Sequence, residues 1–241
     1  MRNHLIVGVA LLLSAGCASA DSAWPKIDLP TDANAYAIGQ QMTVNGLPMR
    51  MQGFVSKAKP AQIAQWFRNS LGKPLVENIL SNKLILGRSQ GEHYISIQLE
   101  PIGSGTRGLV AVSQVKTAYE NRFETRAVTE RLLSRLPSGS RLVSQMTSSD
   151  GDKQAGYVVM SNTHNEDLNR DRLISMLQGD GLTLEREALA ISGTGHPPPP
   201  EGAKTLFFKG AGKEAMAVIF RDQSGHTTVV LNTIIFLERF K

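Results

Sequence analysis

The sequence predicts an α+β fold made of two tandem β-β-α-β-β-β units, an internal duplication joined by an amphipathic helix and with a mainly antiparallel sheet. The first observation is a repeated turn, because Asn45 and Asp150 are each followed by glycine and lie 105 residues apart. The second is a repeated helix start, since Pro60 and Asn165 are separated by the same 105 residues. A long period that two different elements share is typical of a duplicated supersecondary unit.

The first twenty residues predict a secretory signal. Arg2 precedes an apolar run that is too short to span a bilayer, and small residues follow up to Ala20. Two processing sites stay open: cleavage after Ala20, or lipidation at Cys17 in a lipobox-like run where Ser14 stands in place of the usual leucine. Both predict a bacterial envelope protein, in the periplasm or anchored to the outer membrane on its periplasmic side.

The composition argues against several functional classes. The chain of 241 residues has 26 basic and 21 acidic side chains, and so mild a positive balance is weak support for an acidic partner such as nucleic acid. Cys17 is the single cysteine, so a chain cleaved after Ala20 has no thiol nucleophile and forms no disulfide. Its stability must therefore come from packed apolar side chains.

An extended lead-in is predicted for residues 21–36, which contain Pro, Asp and Asn but no apolar period. The first unit, 37–117, then begins with strands 41–44 and 48–56, which flank an Asn-Gly pair. Asn-Gly between two strand-like runs favours a type I′ hairpin, because both residues tolerate positive φ.

The rest of the first unit predicts one helix and a three-stranded meander. Pro60 suits the first turn of a helix, and apolar residues follow at helical spacing until Gly72. The stretch after Gly72 has no regular pattern. Three runs that are separated by glycine turns then predict strands, at 83–88, 92–100 and 108–115.

A linker helix over 118–139 joins this unit to the second, because apolar residues alternate there with charged ones at helical spacing. The second unit, 140–241, repeats the order of elements, with an additional proline-rich insertion at 192–203. A duplicated fold tolerates such an insertion, since loop length changes stability little. The predicted elements are a hairpin of 141–148 and 154–161, a helix through Leu168 and Leu177, and strands 204–209, 214–221 and 227–236.

The sequence predicts no catalytic residue, no metal site and no cofactor. It has no Gly-x-Ser-x-Gly turn for a nucleophile and no His-x-x-x-His pair for a metal. A triad of nucleophile, base and orienting acid is not expected from Asp222, Ser224 and His226, because these residues lie too close together in the sequence. The acidic run that starts at Asp167 lacks the glycine and the closing glutamate of a calcium loop.

A proline-rich loop is the first candidate for partner contact. Its consecutive prolines, Pro197, Pro198, Pro199 and Pro200, favour a polyproline II rod that a partner could bind with little loss of entropy. The plainer interpretation is a stiff surface connection.

The first hairpin is the second candidate, through Leu47 and Met49 just after its turn. Flexible thioethers suit an adaptable contact surface, although methionine more often fills gaps in a core. The two hairpins are dense in this residue, with methionines at 42, 49, 51, 146 and 160.

These observations predict a non-enzymatic binding or accessory subunit, for example of a secretion, pilus or surface-assembly system. The expected partner is another envelope protein, with no nucleic acid and with the membrane reached only through Cys17. Two alternatives stay open. A periplasmic hydrolase needs His93 or His226 in a cleft between the units, within reach of Ser, Asp or Glu. A carrier of a small or lipidic ligand needs an apolar cavity between helix and sheet.

Overall fold

The computed structural model describes residues 24–189 and 202–237. In these ranges twelve strands form one antiparallel sheet, and four helices accompany it. The predicted α+β class and antiparallel sheet are confirmed. The signal segment with Cys17 and the four prolines from Pro197 to Pro200 lie outside the described residues, so the predictions made for them stay predictions.

The first half of the chain forms one side of the sheet, in the strand order β3-β4-β5-β6-β2-β1. Its hairpin turn has the expected left-handed backbone, with φ of 49° at Asn45 and 80° at Gly46. The elements are β1 (Asn34–Val44), β2 (Leu47–Ser56), α1 (Pro60–Leu71), β3 (Val76–Leu80), β4 (Lys83–Gln90), β5 (His93–Ile102) and β6 (Gly105–Gln114).

The second half continues the sheet in the order β7-β8-β12-β11-β10-β9. Each strand of the second half has the same neighbours as its counterpart in the first half. That this likeness arose by duplication stays a prediction. The elements are α2 (Val115–Glu120) and α3 (Arg122–Leu133) as connection, then β7 (Arg141–Asp150), β8 (Lys153–Asn162), α4 (Glu166–Gly179), β9 (Leu182–Leu189), β10 (Lys204–Gly210), β11 (Lys213–Arg221) and β12 (Thr227–Phe236).

Each half has one strand more than the predicted β-β-α-β-β-β unit, because β3 follows α1 and β9 follows α4. All five residues of β3 are exposed, so its sequence has no alternation that would predict a strand, and hydrogen bonding to β4 alone makes it one. The lead-in is also shorter than predicted, since β1 begins at Asn34. The linker is two helices that break at Asn121, instead of one helix over 118–139.

Both halves bury apolar side chains between one face of the sheet and a helix. In β5 the side chains of Ile95, Ile97 and Leu99 are buried, whereas the intervening residues are half-exposed. This alternation follows from the two-residue period of a strand. The first core consists of Phe54, Ile63, Ala64, Phe67, Leu71, Leu86, Ile95, Ile97, Leu99, Val110 and Val112. The second consists of Met160, Leu173, Met176, Leu177, Leu182, Leu206, Phe208, Ala215, Ala217, Ile219, Val229 and Leu231.

The two halves meet along a short ladder, which we call the seam, where residues 42–44 of β1 pair with residues 146–148 of β7. Just beyond it, the N–H of Asn45 donates to the carbonyl oxygen of Gln145, and the N–H of Gln145 donates to Oδ1 of Asn45, both over 2.8 Å. Helix α3 packs against the seam so closely that a Cβ on Gly46 would lie 2.6 Å from Cγ2 of Thr125. Glycine is therefore required there for space as well as for its backbone conformation.

Candidate binding surface

Helices α1, α3 and α4 lie on one face of the sheet. Helices α1 and α4 cover the two cores, and α3 lies beside Thr43 and Thr147, which pair with each other across the seam. Side chains at the intervening strand positions point to the opposite side, on which none of these three helices packs. We call this side the open face.

A continuous row of side chains crosses the open face of the second half and ends on β1 of the first half, in register over seven strands. Because neighbouring strands lie about 4.8 Å apart, the row is about 29 Å long. At its end the guanidinium carbon of Arg186 lies 4.2 Å from the centre of the Phe207 ring, a cation–π contact that orders both side chains. This open-face row consists of Val44, Met146, Tyr157, Asn232, Met216, Phe207 and Arg186.

Further apolar side chains widen the row on the same face. Val159, Val230 and Val218 pair in register along one side of it. On the other side, Ile234 contributes to a shallow groove of about 360 Å³, whose lining also includes Phe207, Met216, Lys209 and Glu214. An apolar centre with charged groups at the margin is typical of protein interfaces.

The structure places both candidate residues of the first hairpin on the open face at the seam. Leu47 pairs with Val44, and Met49 pairs with Met42, and both candidates are half-buried. Whether they contact a partner stays a prediction. The methionines that the sequence singled out lie in different environments. Met49, Met51 and Met146 are half-buried on the open face, Met42 points to the same face but is only 7% exposed, and Met160 is fully buried under α4.

His93 lies in the first half, on the helix side of β5. Only 5% of it is exposed, its ring centre lies 5.2 Å from that of Trp24, and its Nε2 has no hydrogen-bond partner among the described residues. A histidine that acts as a general base must lie within about 3.2 Å of the group whose proton it takes up. The described side chains offer this imidazole no such arrangement.

His226 does meet a serine and an acid, but within one hairpin turn. The hydroxyl of Ser224 lies 2.7 Å from Oδ1 of Asp222 and 2.9 Å from Nδ1 of His226, so serine occupies the middle of the chain where a triad places histidine. Oδ1 of Asp222 also accepts the backbone N–H groups of Ser224 and His226. The hydrogen bond from Ser224 lowers the pKa of Asp222, and the whole arrangement stabilises the turn.

Other chemistry is sparse in the ranges 24–189 and 202–237. They contain no group of three His, Cys, Asp or Glu side chains that could hold a metal ion. They also contain no helix with the length and apolar character needed to cross a bilayer. The space that a carrier would need between helix and sheet is filled in each half by buried apolar side chains.

Known proteins resemble this chain only weakly. No protein family and no curated protein matches the chain. Among solved structures, the apo structure of immunity protein TplEi of T6SS from Pseudomonas aeruginosa is similar over 89% of this chain and 85% of that chain, with 13% sequence identity and a TM-score of 0.27. A TM-score of this size carries no argument about fold or function.

Proposed function

We propose that the protein is a non-enzymatic binding subunit of the bacterial envelope, and that the open face of its second half contacts another envelope protein. The observation that carries the proposal is the open-face row. Its members lie in register on seven neighbouring strands, from Val44 to Arg186, on a face that helices α1, α3 and α4 leave uncovered. Single exposed apolar residues need no explanation, whereas a contiguous apolar patch marks an interaction surface.

The dimensions of this surface fit a protein partner. At about 4.8 Å between strands and about 7 Å between rows, the seven members of the row and its four flanking apolar residues cover roughly 370 Å². A standard protein interface buries about 800 Å² on each side, so this surface supplies about half of one interface. The seam residues Leu47 and Met49 adjoin the same face and would extend it.

The residue types on the row also favour protein recognition. Met, Tyr, Phe and Arg are enriched in interface centres, where Lys and Glu are depleted. Arg186 and Phe207 already stack on each other in the free protein, which reduces the side-chain entropy that binding costs. The flat shape of a strand surface favours a partner that presents a flat apolar patch of its own.

The partner that we propose belongs to a secretion, pilus or surface-assembly system. The predicted signal segment supports an envelope location, either free in the periplasm or held there by a lipid on Cys17. A non-enzymatic role is supported by His93 and His226, since neither is arranged as a general base in the described structure.

Site-specific photocrosslinking in intact cells tests this proposal. A photoreactive amino acid is placed at Phe207 or at Met146 on the open face, and at Ser175 on the exposed side of α4 as the matched control. We expect both open-face positions to crosslink to one and the same envelope protein, and Ser175 not to crosslink to it. That protein, once purified, must also bind the purified subunit.

Three results would contradict the proposal. The first is equal capture from Ser175, which would make the crosslinks unspecific. The second is a crosslink from Phe207 to residues 190–201 of the same chain, which would show that the open face is covered internally. The third is that the captured protein fails to bind in purified form.

A further inference from the structure

The two outer strands of the sheet differ in how they are protected from pairing with another strand. β9 carries Glu185, Arg186 and Glu187 and has an irregular register against β10. Charges and bulges on an edge are devices that discourage further pairing. β3 has neither a bulge nor a run of charges, and its exposed fractions are 64% for Val76, 73% for Ile79 and 62% for Leu80.

The backbone of β3 presents free hydrogen-bonding groups outward. A two-residue turn joins Leu80 to Lys83, which makes them a hydrogen-bonded pair. Because such pairs alternate along an antiparallel ladder, the main-chain groups of Glu77 and Ile79 point away from β4. In agreement, the N–H of Ile79 donates over 2.8 Å to Oδ1 of Asn78, its neighbour in the chain.

We propose that β3 pairs with β3 of a second copy of this chain, antiparallel and with a two-fold axis at Asn78. This register places Glu77 opposite Ile79 of the other copy, and the reverse, so both pairs of outward-facing residues exchange two main-chain hydrogen bonds. Asn78 then faces Asn78 of the second copy and releases the N–H of Ile79. The two sheets become continuous.

Charge and apolar pairing favour this register over the one that is shifted towards Val76. A shift by one residue of the two-fold axis towards Val76 would bring Glu77 opposite Glu77, and like charges in opposite positions destabilise a ladder. The axis at Asn78 instead sets Val76 opposite Leu80, an apolar cross-strand pair. It also leaves undisturbed the ion pair of Glu77 with Arg68 of α1, at 2.7 Å.

The contact is small, because only five residues of each chain form the new ladder. It buries less than the roughly 1,200 Å² at the lower end of stable interfaces, so we expect a weak, concentration-dependent dimer. This inference concerns the edge of the first half. It does not depend on the open-face partner, and variants of Phe207 or Met216 are expected to leave it unchanged.

Sedimentation velocity of the exported, processed protein tests the dimer. The wild type should shift from monomer to dimer as the concentration rises from low to high micromolar. Ile79→Pro should remain monomeric, because proline removes an outward N–H that β4 does not use. A thermal unfolding curve close to that of the wild type verifies that the variant is folded. A wild type that stays monomeric throughout, or a dimer that Ile79→Pro leaves intact, overturns the proposal.

Disulfide trapping tests the register independently, on a Cys17→Ser background. Asn78→Cys should form a disulfide-linked dimer under mild oxidation, because residues directly opposite have Cβ atoms about 5 Å apart. Leu80→Cys is the matched control on the same side of β3, and the two-fold axis separates its copies by about 14 Å. Equal trapping of both variants contradicts the register. If Asn78→Cys is trapped in cells with a different protein, the occupant is an extended segment of that protein and the dimer proposal fails.

Discussion

The two halves of the sheet have the same order of elements but differ on the open face of the corresponding strands β5 and β11. In the first half, the open-face positions of β5 are Tyr94, Ser96, Gln98 and Glu100. In the second half, strand β11 occupies the corresponding place in the sheet, and it carries Glu214, Met216, Val218 and Phe220 there. The helix sides of both strands are apolar. Both halves thus place apolar side chains at every second position toward the core, because folding requires a buried core. The residue types on the open face are not constrained in this way, and they distinguish the half that we propose binds a partner.

The cores differ as well, because the second contains a buried polar pair. Nδ2 of Asn162 donates to Oδ1 of Asn169 over 2.7 Å, and Nδ2 of Asn169 donates back to Oδ1 of Asn162 over 3.0 Å. Both residues are buried. Buried amides are tolerated only when they are hydrogen-bonded, so this pair fixes the start of α4 against the end of β8. The first core has Phe67 as its helix anchor, in an apolar environment.

The largest effect that we expect concerns this anchor. Phe67→Ala should lower the free energy of unfolding by about 3–5 kcal/mol, since Phe67 is fully buried between α1 and the sheet and truncation leaves a cavity. Scanning calorimetry checks this. Because the seam is short, we also expect the first half to unfold in a separate, earlier transition in the variant. A single transition that includes both halves would show that the seam couples them fully.

The buried pair of the second half should give the next largest effect. Asn169→Ala should lower the free energy of unfolding by about 1–3 kcal/mol, because the amide of Asn162 loses a partner that water cannot replace. Urea denaturation measures the change. Asn69→Ala, at an exposed position of α1, is the matched control and should change it by less than about 0.5 kcal/mol. Equal effects of the two variants would contradict the structural role of the pair.

The open faces can be compared directly by adding the same charge to each. Met216→Lys should weaken binding of the crosslinked partner by about tenfold or more, because a lysine would be desolvated at the centre of the interface. Ser96→Lys, on the open face of the first half, should leave the affinity nearly unchanged. Isothermal titration calorimetry provides both values. If Ser96→Lys weakens binding as strongly, the contact extends over the first half too.

The smallest effect that we expect is a pH dependence of the second half. The hydrogen-bonded ion pair with Arg221 lowers the pKa of Glu166. A lowered pKa in the folded state stabilises the protein above the unfolded value of 4.5, and this contribution is lost as the pH falls through the folded pKa. Arg221→Gln should therefore reduce the loss of folding free energy that acid causes, by less than about 1 kcal/mol. The unfolding temperature, measured as a function of pH, reports this difference. An unchanged pH profile would contradict the coupling.

Much of the local structure was predictable from the sequence. The alternation in β5, the glycine after Asn45 and the proline at the start of α1 predicted their elements, because each reports a backbone preference that neighbouring residues decide. Strand β3 was not predictable, since its exposed residues have no periodic pattern. The break at Asn121 was missed for a similar reason, as the charged and apolar residues of the linker fit one helix as well as two.

The candidate surface shows the same division. The sequence indicated that methionines are dense in the hairpins and singled out Leu47 and Met49, but it could not tell which methionines face outward. That depends on register, because a shift by one residue moves every side chain of a strand to the other face. The open-face row unites residues of seven strands that lie far apart in the chain, from Val44 to Asn232.

The sequence by itself determined the class of fold, the alternation toward each core and the turns that begin and end the elements, because these depend on interactions between neighbours in the chain. The tertiary structure alone decided that the halves share one sheet, that one face stays open and that β3 lies at an unprotected edge. These features arise from hydrogen bonds between distant strands, such as the pairing of residues 42–44 with 146–148, and no local preference encodes them.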